Sequence, residues 1–362
     1  MTESPELEAL LEWTRHAGAS DLHLRAGRPP VVRVDGRLIP GKGVALTNEM
    51  VDGMVDSMLP EHLRVAFKET HEADFAFGDS RLGRFRANAF RQRGLTTVAI
   101  RALREPSGNL TDLGLPAVLE RLAGEPRGMI LVTGPTGAGK TTTLAAVVDL
   151  INRTRACNII TIEDPIEILH EDKMAMVSQR EVGVDTAGFA EALRRVLRQD
   201  PDVILVGEMR DMATVDAALT AAETGHLVLS TLHTLDAVET VNRILDFFPN
   251  DLQRQVRLLL AGSLRAVISQ RLLRRADEKG MVPAVEVLIN TERAAERIAD
   301  PGQTSSLHEV IAEGGYYGMV TFDQSILQLL ERQDITFTEA MRHATRPSDL
   351  KVTAQRMGLV PT

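Results

Sequence analysis

The chain has 362 residues, 44% hydrophobic and 25% charged, which supplies apolar material for two domains and excludes both a single small module and wholesale disorder. With 41 basic against 50 acidic residues the formal charge is −9, so no generic nucleic-acid or anionic-membrane surface is expected. One cysteine, Cys157, rules out an internal disulfide and a multi-cysteine zinc or iron–sulfur site, and it suits a reducing compartment.

The first residues, MTESPELEALLEW, have neither a basic leader nor an apolar h-region. No stretch approaches the roughly 18 apolar residues of a membrane span, so the protein is expected to be cytoplasmic. Residues 4–17 read as a helix with Ser4 at its cap, Pro5 in its first turn and Leu7, Leu10, Leu11 and Trp13 as contacts. Residues 21–24 alternate like a half-buried strand, and 31–34 with 37–39 read as a hairpin around Asp35-Gly36. Thr47 opens a helix that Pro60 ends, and strand-like stretches return over 73–103.

Pro106, Gly108, Gly114, Pro116 and Gly124 then mark a linker, giving a domain 1–105, a linker 106–124 and a second domain 125–362. In the second domain the apolar strands 129–133, 158–162, 203–206 and 227–231 alternate with helical patterns, which predicts an α/β fold with a mainly parallel, helix-covered sheet. Beyond Asp251 the chain reads as a largely helical C-terminal region. Residues 252–273 read as one helix buried on more than one side, with Arg271, Arg274 and Arg275 at its C-terminal end. Residues 285–289 form the one strand expected there, and 322–330 an amphipathic helix.

The strand 129–133 runs into Gly134-Pro135-Thr136-Gly137-Ala138-Gly139-Lys140-Thr141, a GxxxxGK[ST] loop followed by a helical run from Thr142. This strand, loop and helix order is the context of a P-loop, in which converging backbone N–H groups and the helix N-terminus hold phosphate. Residues 134–142 are therefore the candidate nucleotide cradle, with Lys140 reaching the β- and γ-phosphates of ATP and Thr141 ligating Mg²⁺. Hydrolysis also needs a carboxylate near the metal and a group that orients water, at the C-terminal ends of neighbouring strands. Strand 203–206 ends in Gly207-Glu208 and strand 159–162 in Glu163-Asp164-Pro165. Glu163 is read as general base and Glu208 as the acid holding metal-bound water, a division that could also run the other way; either pair could be a plain strand-end turn.

Between residues 81 and 104 there are seven arginines (Arg81, Arg84, Arg86, Arg91, Arg93, Arg101, Arg104) and no acid, a segregation that asks for an anionic partner. On strands, Arg86 lies opposite in face to Phe85 and Ala87, and Arg101 to Val98 and Ile100. An edge strand protected by its charges is the plain alternative. His226 and His233 flank the strand between them, without the further ligands a zinc site needs.

Together, Gly134 to Thr141, TIEDPIE at 161–167, RQDPDVILVGEMRD at 198–211 and TGHLVLSTLHT at 224–234 resemble the Walker A, Asp box, Walker B and His box of the type II/IV secretion ATPases. ASDLHL at 19–24 and GMVTFDQ at 318–324 resemble the type IV pilus retraction (twitching motility) subfamily. The resemblance implies a PAS-like N-terminal domain, a RecA-like ATPase domain and ATP bound between them. It further implies a homohexameric motor on the cytoplasmic face of the inner membrane, docked on a pilus platform protein, alone or with paralogous pilus ATPases. It assigns Arg86 and Arg101 to the γ-phosphate and gives His226 and His233 to sensing the γ-phosphate and relaying its loss to the subunit interface, with His233 nearer; structural or hydrogen-bonding histidines are the plain alternative. Pilus-extension and type II secretion relatives usually carry a four-cysteine zinc motif and extra N-terminal domains, which this sequence does not match. An assembly ATPase, or a nucleotide-binding regulator without useful hydrolysis, are the alternatives. Where the retraction subfamily carries an AIRNLIRE-like helix, this chain has TERAAERIA at 291–299.

Overall fold

The computed structural model describes residues 5–34, 36–79, 81–103 and 109–359. Ser4, Asp35, Arg104, Pro106 and Gly108, which the sequence reading used, lie outside them. The chain divides into two compact units, Met1–Ser107 with Asp164–Leu169, and Gly108–Glu163 with His170–Thr362.

The first unit holds helices α1 (Pro5–His16), α2 (Asn48–Met58) and α3 (Arg64–Thr70). Its strands are β1 (Asp21–Arg25), β2 (Val31–Val34), β3 (Arg37–Pro40), β4 (Glu72–Asp79), β5 (Gly83–Gln92) and β6 (Leu95–Ala102). They form one antiparallel sheet in the order β3-β2-β1-β6-β5-β4. Alternation decides the faces: Phe85, Ala87 and Ala89 on β5 and Val98 and Ile100 on β6 are fully buried with Leu7, Leu11, Val51 and Met58 of the helices, while the residues between them point away. Thr47 caps α2 as its spacing implied, its hydroxyl accepting the Met50 N–H.

The second unit is built on a seven-stranded sheet. Its strands are β7 (Gly128–Thr133), β8 (Asn158–Glu163), β9 (Met176–Glu181), β10 (Val203–Val206), β11 (Leu227–Leu232), β12 (Leu264–Arg274) and β13 (Met281–Ile289). The order is β13-β12-β7-β11-β10-β8-β9, parallel throughout except that β13 runs antiparallel to β12. The helices are α4 (Val118–Ala123), α5 (Lys140–Thr154), α6 (Phe189–Val196), α7 (Met212–Glu223), α8 (Ala237–Asp246), α9 (Asn250–Ser263), α10 (Glu292–Ala299) and α11 (Leu307–Glu313). Three more, α12 (Phe322–Glu331), α13 (Phe337–His343) and α14 (Pro347–Arg356), close a separate apolar cluster with Leu273, Val282 and Ala284.

Both faces of this sheet are covered, and β7, β10 and β11 are buried at every position. Met129 and Leu131 of β7 enter the core beneath α6, α7 and α8, whereas Ile130 and Val132 enter the one beneath α4 and α5. Each fully buried side chain of this size contributes about 1.5–3 kcal/mol.

Two expectations need correcting. The segment read as a single helix over 252–273 breaks at Ser263 and continues as β12, eleven residues long and parallel to β7. Val267, Ile268 and their neighbours are buried on both faces, so the strand shows no alternation and its all-round apolarity imitates a buried helix. Arg271 and Arg274 are therefore strand residues, not helix-end charges; the Arg271 guanidinium lies 3.8 Å over the Phe322 ring and donates to the His343 carbonyl at 2.7 Å. The segment read as linker over 106–124 also carries α4, and Leu110, Leu115, Leu119 and Leu122 are buried in the second unit's core. Its glycines and prolines masked that apolar content.

Candidate active site

Register places the C-terminal ends of β7, β11, β10 and β8 at one edge of the second unit's sheet, with Thr133 paired to Leu232, and Val206 to both Ser230 and Ile162. Parallel strands flanked by helices leave their ligand crevice at this edge. The loop after β7 leads straight into α5. Gly134 adopts φ +142°, and a Cβ there would come within 2.5 Å of the Gln270 carbonyl, so no other residue fits the turn. Gly139, at φ +87°, is the N-cap of α5 and turns the chain so that the following amides face the loop. Thr141 and Thr142 are exposed at the helix start, and Ala138 is buried beneath it.

Lys140 is largely buried, and its Nζ donates to the carbonyls of Gly134 at 2.8 Å and Pro135 at 3.1 Å. The Nδ1 of His233 is 3.5 Å from the same ammonium. Burial pulls Lys140 below the ordinary lysine value, and the Glu208 carboxylate pulls the other way. Glu208 continues the chain: its Oε2 is 3.7 Å from His233 Nε2, and its Oε1 pairs with Arg210. Lys140, His233 and Glu208 thus converge from α5, the end of β11 and the end of β10.

The turn that presents Glu208 is tied down on both sides. The Gly207 N–H donates to Ile162 O at 2.8 Å, and the Thr231 hydroxyl donates to Gly207 O at 2.7 Å. Glu163, at the end of β8, accepts from the Thr161 hydroxyl at 2.6 Å and from Gln179 Nε2 at 3.0 Å. Gln179 lies on β9, a strand that sequence patterning missed because its polar and apolar residues do not alternate with burial.

The oxygen donors Thr141 and Glu208 match the hard-ligand preference of Mg²⁺, which keeps waters and substrate phosphates rather than filling its shell with protein groups. The glycine-lined loop, with a lysine ammonium already bonded to two of its carbonyls, matches a phosphate group.

The fold of one chain does not bring His226 to the phosphate loop. It precedes β11, whose first residue Leu227 pairs with Gly128 at the start of β7, so it lies at the opposite edge of the sheet, about 20 Å of strand from His233. Its Nδ1 faces the Ala221 carbonyl at 3.0 Å and the Thr224 hydroxyl at 3.3 Å. Within one chain it does not join the phosphate loop.

Arg86 and Arg101 belong to the first unit, where β5 and β6 place them directly opposite each other. Like charges so placed repel, and carboxylates offset them. Asp74 takes Arg86 bidentately at 3.2 and 2.6 Å, with Glu167 at 3.9 Å, and these acids hold the guanidinium above its ordinary pKa. Asp21 accepts from Arg101 Nε at 2.9 Å. Burial pushes the Asp21 carboxyl up, but the Ser20 hydroxyl and Arg101 bring it below the usual carboxylate range. Arg81 pairs with Glu8 and Glu12, and Arg91 with Asp52, so part of the anionic company that the arginine strip asks for comes from this unit itself.

A family model described as type II/IV secretion system protein matches residues 53–355. The chain belongs to this family. It is 42% identical over 344 residues to the type IV pilus retractation ATPase PilT of Pseudomonas aeruginosa, covering 95% of this chain and 99% of that one. It is 41% identical over 347 residues to the type IV pilus ATPase PilU of the same organism, covering 96% and 91%. A crystal structure of the pilus retraction motor PilT with bound ADP superimposes with a TM-score of 0.88 at 43% identity, over 97% of this chain and all of that one. The expected fold class and family resemblance are both borne out: an N-terminal α+β domain is followed by a RecA-like ATPase domain, and the protein is an ATPase of the type II/IV secretion family.

Proposed function

We propose that this ATPase is a homohexameric, Mg-ATP-driven motor that powers type IV pilus retraction from the cytoplasmic face of the inner membrane, gripping a platform protein there. The observation that carries the reading is the convergence of Lys140, His233 and Glu208 beside a P-loop, in a chain that matches a retraction ATPase over nearly the whole length of both. No helix among the described residues is long and apolar enough to cross a membrane.

In this reading the loop 134–142 cradles the phosphates, and Lys140 exchanges its carbonyl partners for β- and γ-phosphate oxygens. Thr141 and Glu208 would hold Mg²⁺, partly through water, and the ion would supply neutralisation of charge on the transferring phosphoryl. Glu163, held by Thr161 and Gln179, takes the proton of the attacking water. Arg86 and Arg101 exchange Asp74 and Asp21 for the γ-phosphate, and His233 senses its loss. Hydrolysis thereby depends on domain movement, which is how a motor couples fuel to work.

Lys140→Ala should weaken ATP binding by roughly 100-fold, the effect of losing about 3 kcal/mol of charge-assisted bonding, read by titration with a fluorescent nucleotide. Binding within a few-fold of wild type would remove the loop from the site. For the cellular role, labelled pili are followed by microscopy in a deletion strain complemented with wild type or Glu208→Gln. Abundant pili that do not retract with the variant support retraction; bald cells would replace this reading with an assembly ATPase. The near-equal likeness to PilU favours, as a second reading, a pilus ATPase working alongside a paralogue. Retraction that persists in the deletion strain and stops only when a paralogue is also removed would select it.

A further inference from the structure

Glu286 lies on β13, is 4% exposed, and takes no part in the chemistry described above. A carboxyl buried to that degree is retained at a cost unless its oxygens have partners. Its Oε1 accepts the backbone N–H of Ala237, the first residue of α8, at 3.0 Å. The residues just before Ala237 form the turn that carries His233 from the end of β11. Within the turn and its helix, Asp236 caps the Glu239 N–H, the Leu235 N–H donates to Glu239, and the Thr234 and Thr240 hydroxyls meet at 2.6 Å, while His233 faces Lys140 and Glu208. The bond from Glu286 ties the root of α8 to the sheet.

The anchor also leads back to the phosphate loop. Register aligns Thr133 of β7 with Ser269 of β12, and Ser269 with Glu286 of β13, so the three share one face in one row. The Thr133 hydroxyl donates to Ser269 Oγ at 2.9 Å, and Thr133 is followed by Gly134, whose carbonyl receives Lys140. By register, a polar row across three strands runs from the root of the phosphate loop to the root of the histidine turn, bonded at its Thr133–Ser269 step.

We infer that Glu286 is a positioning residue for hydrolysis, holding the start of α8 so that His233 stays beside Lys140 and Glu208. The inference rests on His233 facing the γ-phosphate, and the experiment below separates the two. The carboxyl is not an ordinary surface acid: burial pushes it up to about 7, the Ala237 N–H pulls it down, Asp236 raises it, Arg271 lowers it and Asp323 raises it. A neutral acceptor of the same shape can therefore replace it, which makes glutamine the informative conservative variant.

Steady-state ATPase of the full chain is measured for wild type, Glu286→Ala, Glu286→Gln, Ala237→Pro and His233→Ala. Glu286→Ala should lower kcat by roughly tenfold or more with KM for ATP changed by no more than about threefold, because the turn acts on reacting phosphate rather than on the bound nucleotide. Glu286→Gln should recover at least about half of kcat, since its amide oxygen still accepts the Ala237 N–H. Ala237→Pro removes the same bond from the other side at a first helical position; because Ala237 is fully buried, thermal unfolding is measured alongside, and the folded variant should repeat the kcat loss. Normal kcat in Ala237→Pro, or a glutamine variant no better than alanine, would overturn the inference. If His233→Ala itself turns over normally, the reading of the site fails first; slow His233→Ala beside unaffected Glu286→Ala sinks only the inference.

Discussion

Glu208→Gln should bind ATP about as tightly as wild type and hydrolyse it roughly 10² to 10⁴ times more slowly, the range associated with removing a positioned acid or base. The substitution keeps the shape of the side chain and its ability to face Arg210 and His233, but removes the charge that Lys140 and a metal-bound water would feel. Glu208 is 14% exposed at the side chain and its turn is held independently by Ile162 O and Thr231, so the fold should survive the change. A rapid-mixing assay that separates binding from turnover is the check. Equal loss of binding and turnover would mean that the group acts on the ground state, and unchanged turnover would remove it from the chemistry.

Arg86→Ala should lower kcat by roughly 10³- to 10⁵-fold while ATP binding persists, the effect expected when a cation that stabilises the transferring phosphoryl is withdrawn. Its loss leaves Asp74 at 45% side-chain exposure, so the broken pair costs under about 1 kcal/mol of stability and the kinetic defect is readable in folded protein. Arg101→Ala should slow turnover in the same way, but it removes the closest cation from Asp21, which is 12% exposed and keeps Ser20, His23 and a distant Arg33 as support, so it is the less direct probe. Thermal unfolding measured alongside separates the two effects. Wild-type kcat in Arg86→Ala would return the arginine strip to the role of a charged sheet edge, neutralised by its own neighbours.

The opposed placement of Arg86 and Arg101 marks the limit of what patterning reveals. Strand alternation put each residue on the face away from the core, and the structure agrees, but only the register of β5 against β6 makes them a pair. Their carboxylate partners Asp74, Glu167 and Asp21 are separated from them by 12 to 81 residues. Nothing in the local sequence announces those contacts. The same holds for Gln179 beside Glu163, 16 residues away, and for Glu286 against Ala237 at the start of α8, 49 residues away.

The phosphate loop, the two acid-ended strands and the histidine after β11 were determined by sequence alone, because their signals are local: glycines where the backbone must turn, apolar runs for strands covered on both faces, polar residues at the ends of those runs. Tertiary structure alone decided that 264–274 is a strand, that β9 extends the sheet, and that His226 lies at the wrong edge to meet the phosphate loop within one chain. A segment buried on every side has no period by which to choose between helix and strand. Its choice comes from hydrogen bonding to a partner distant in sequence, here β7, and the same long-range pairing sets which polar groups meet at the site.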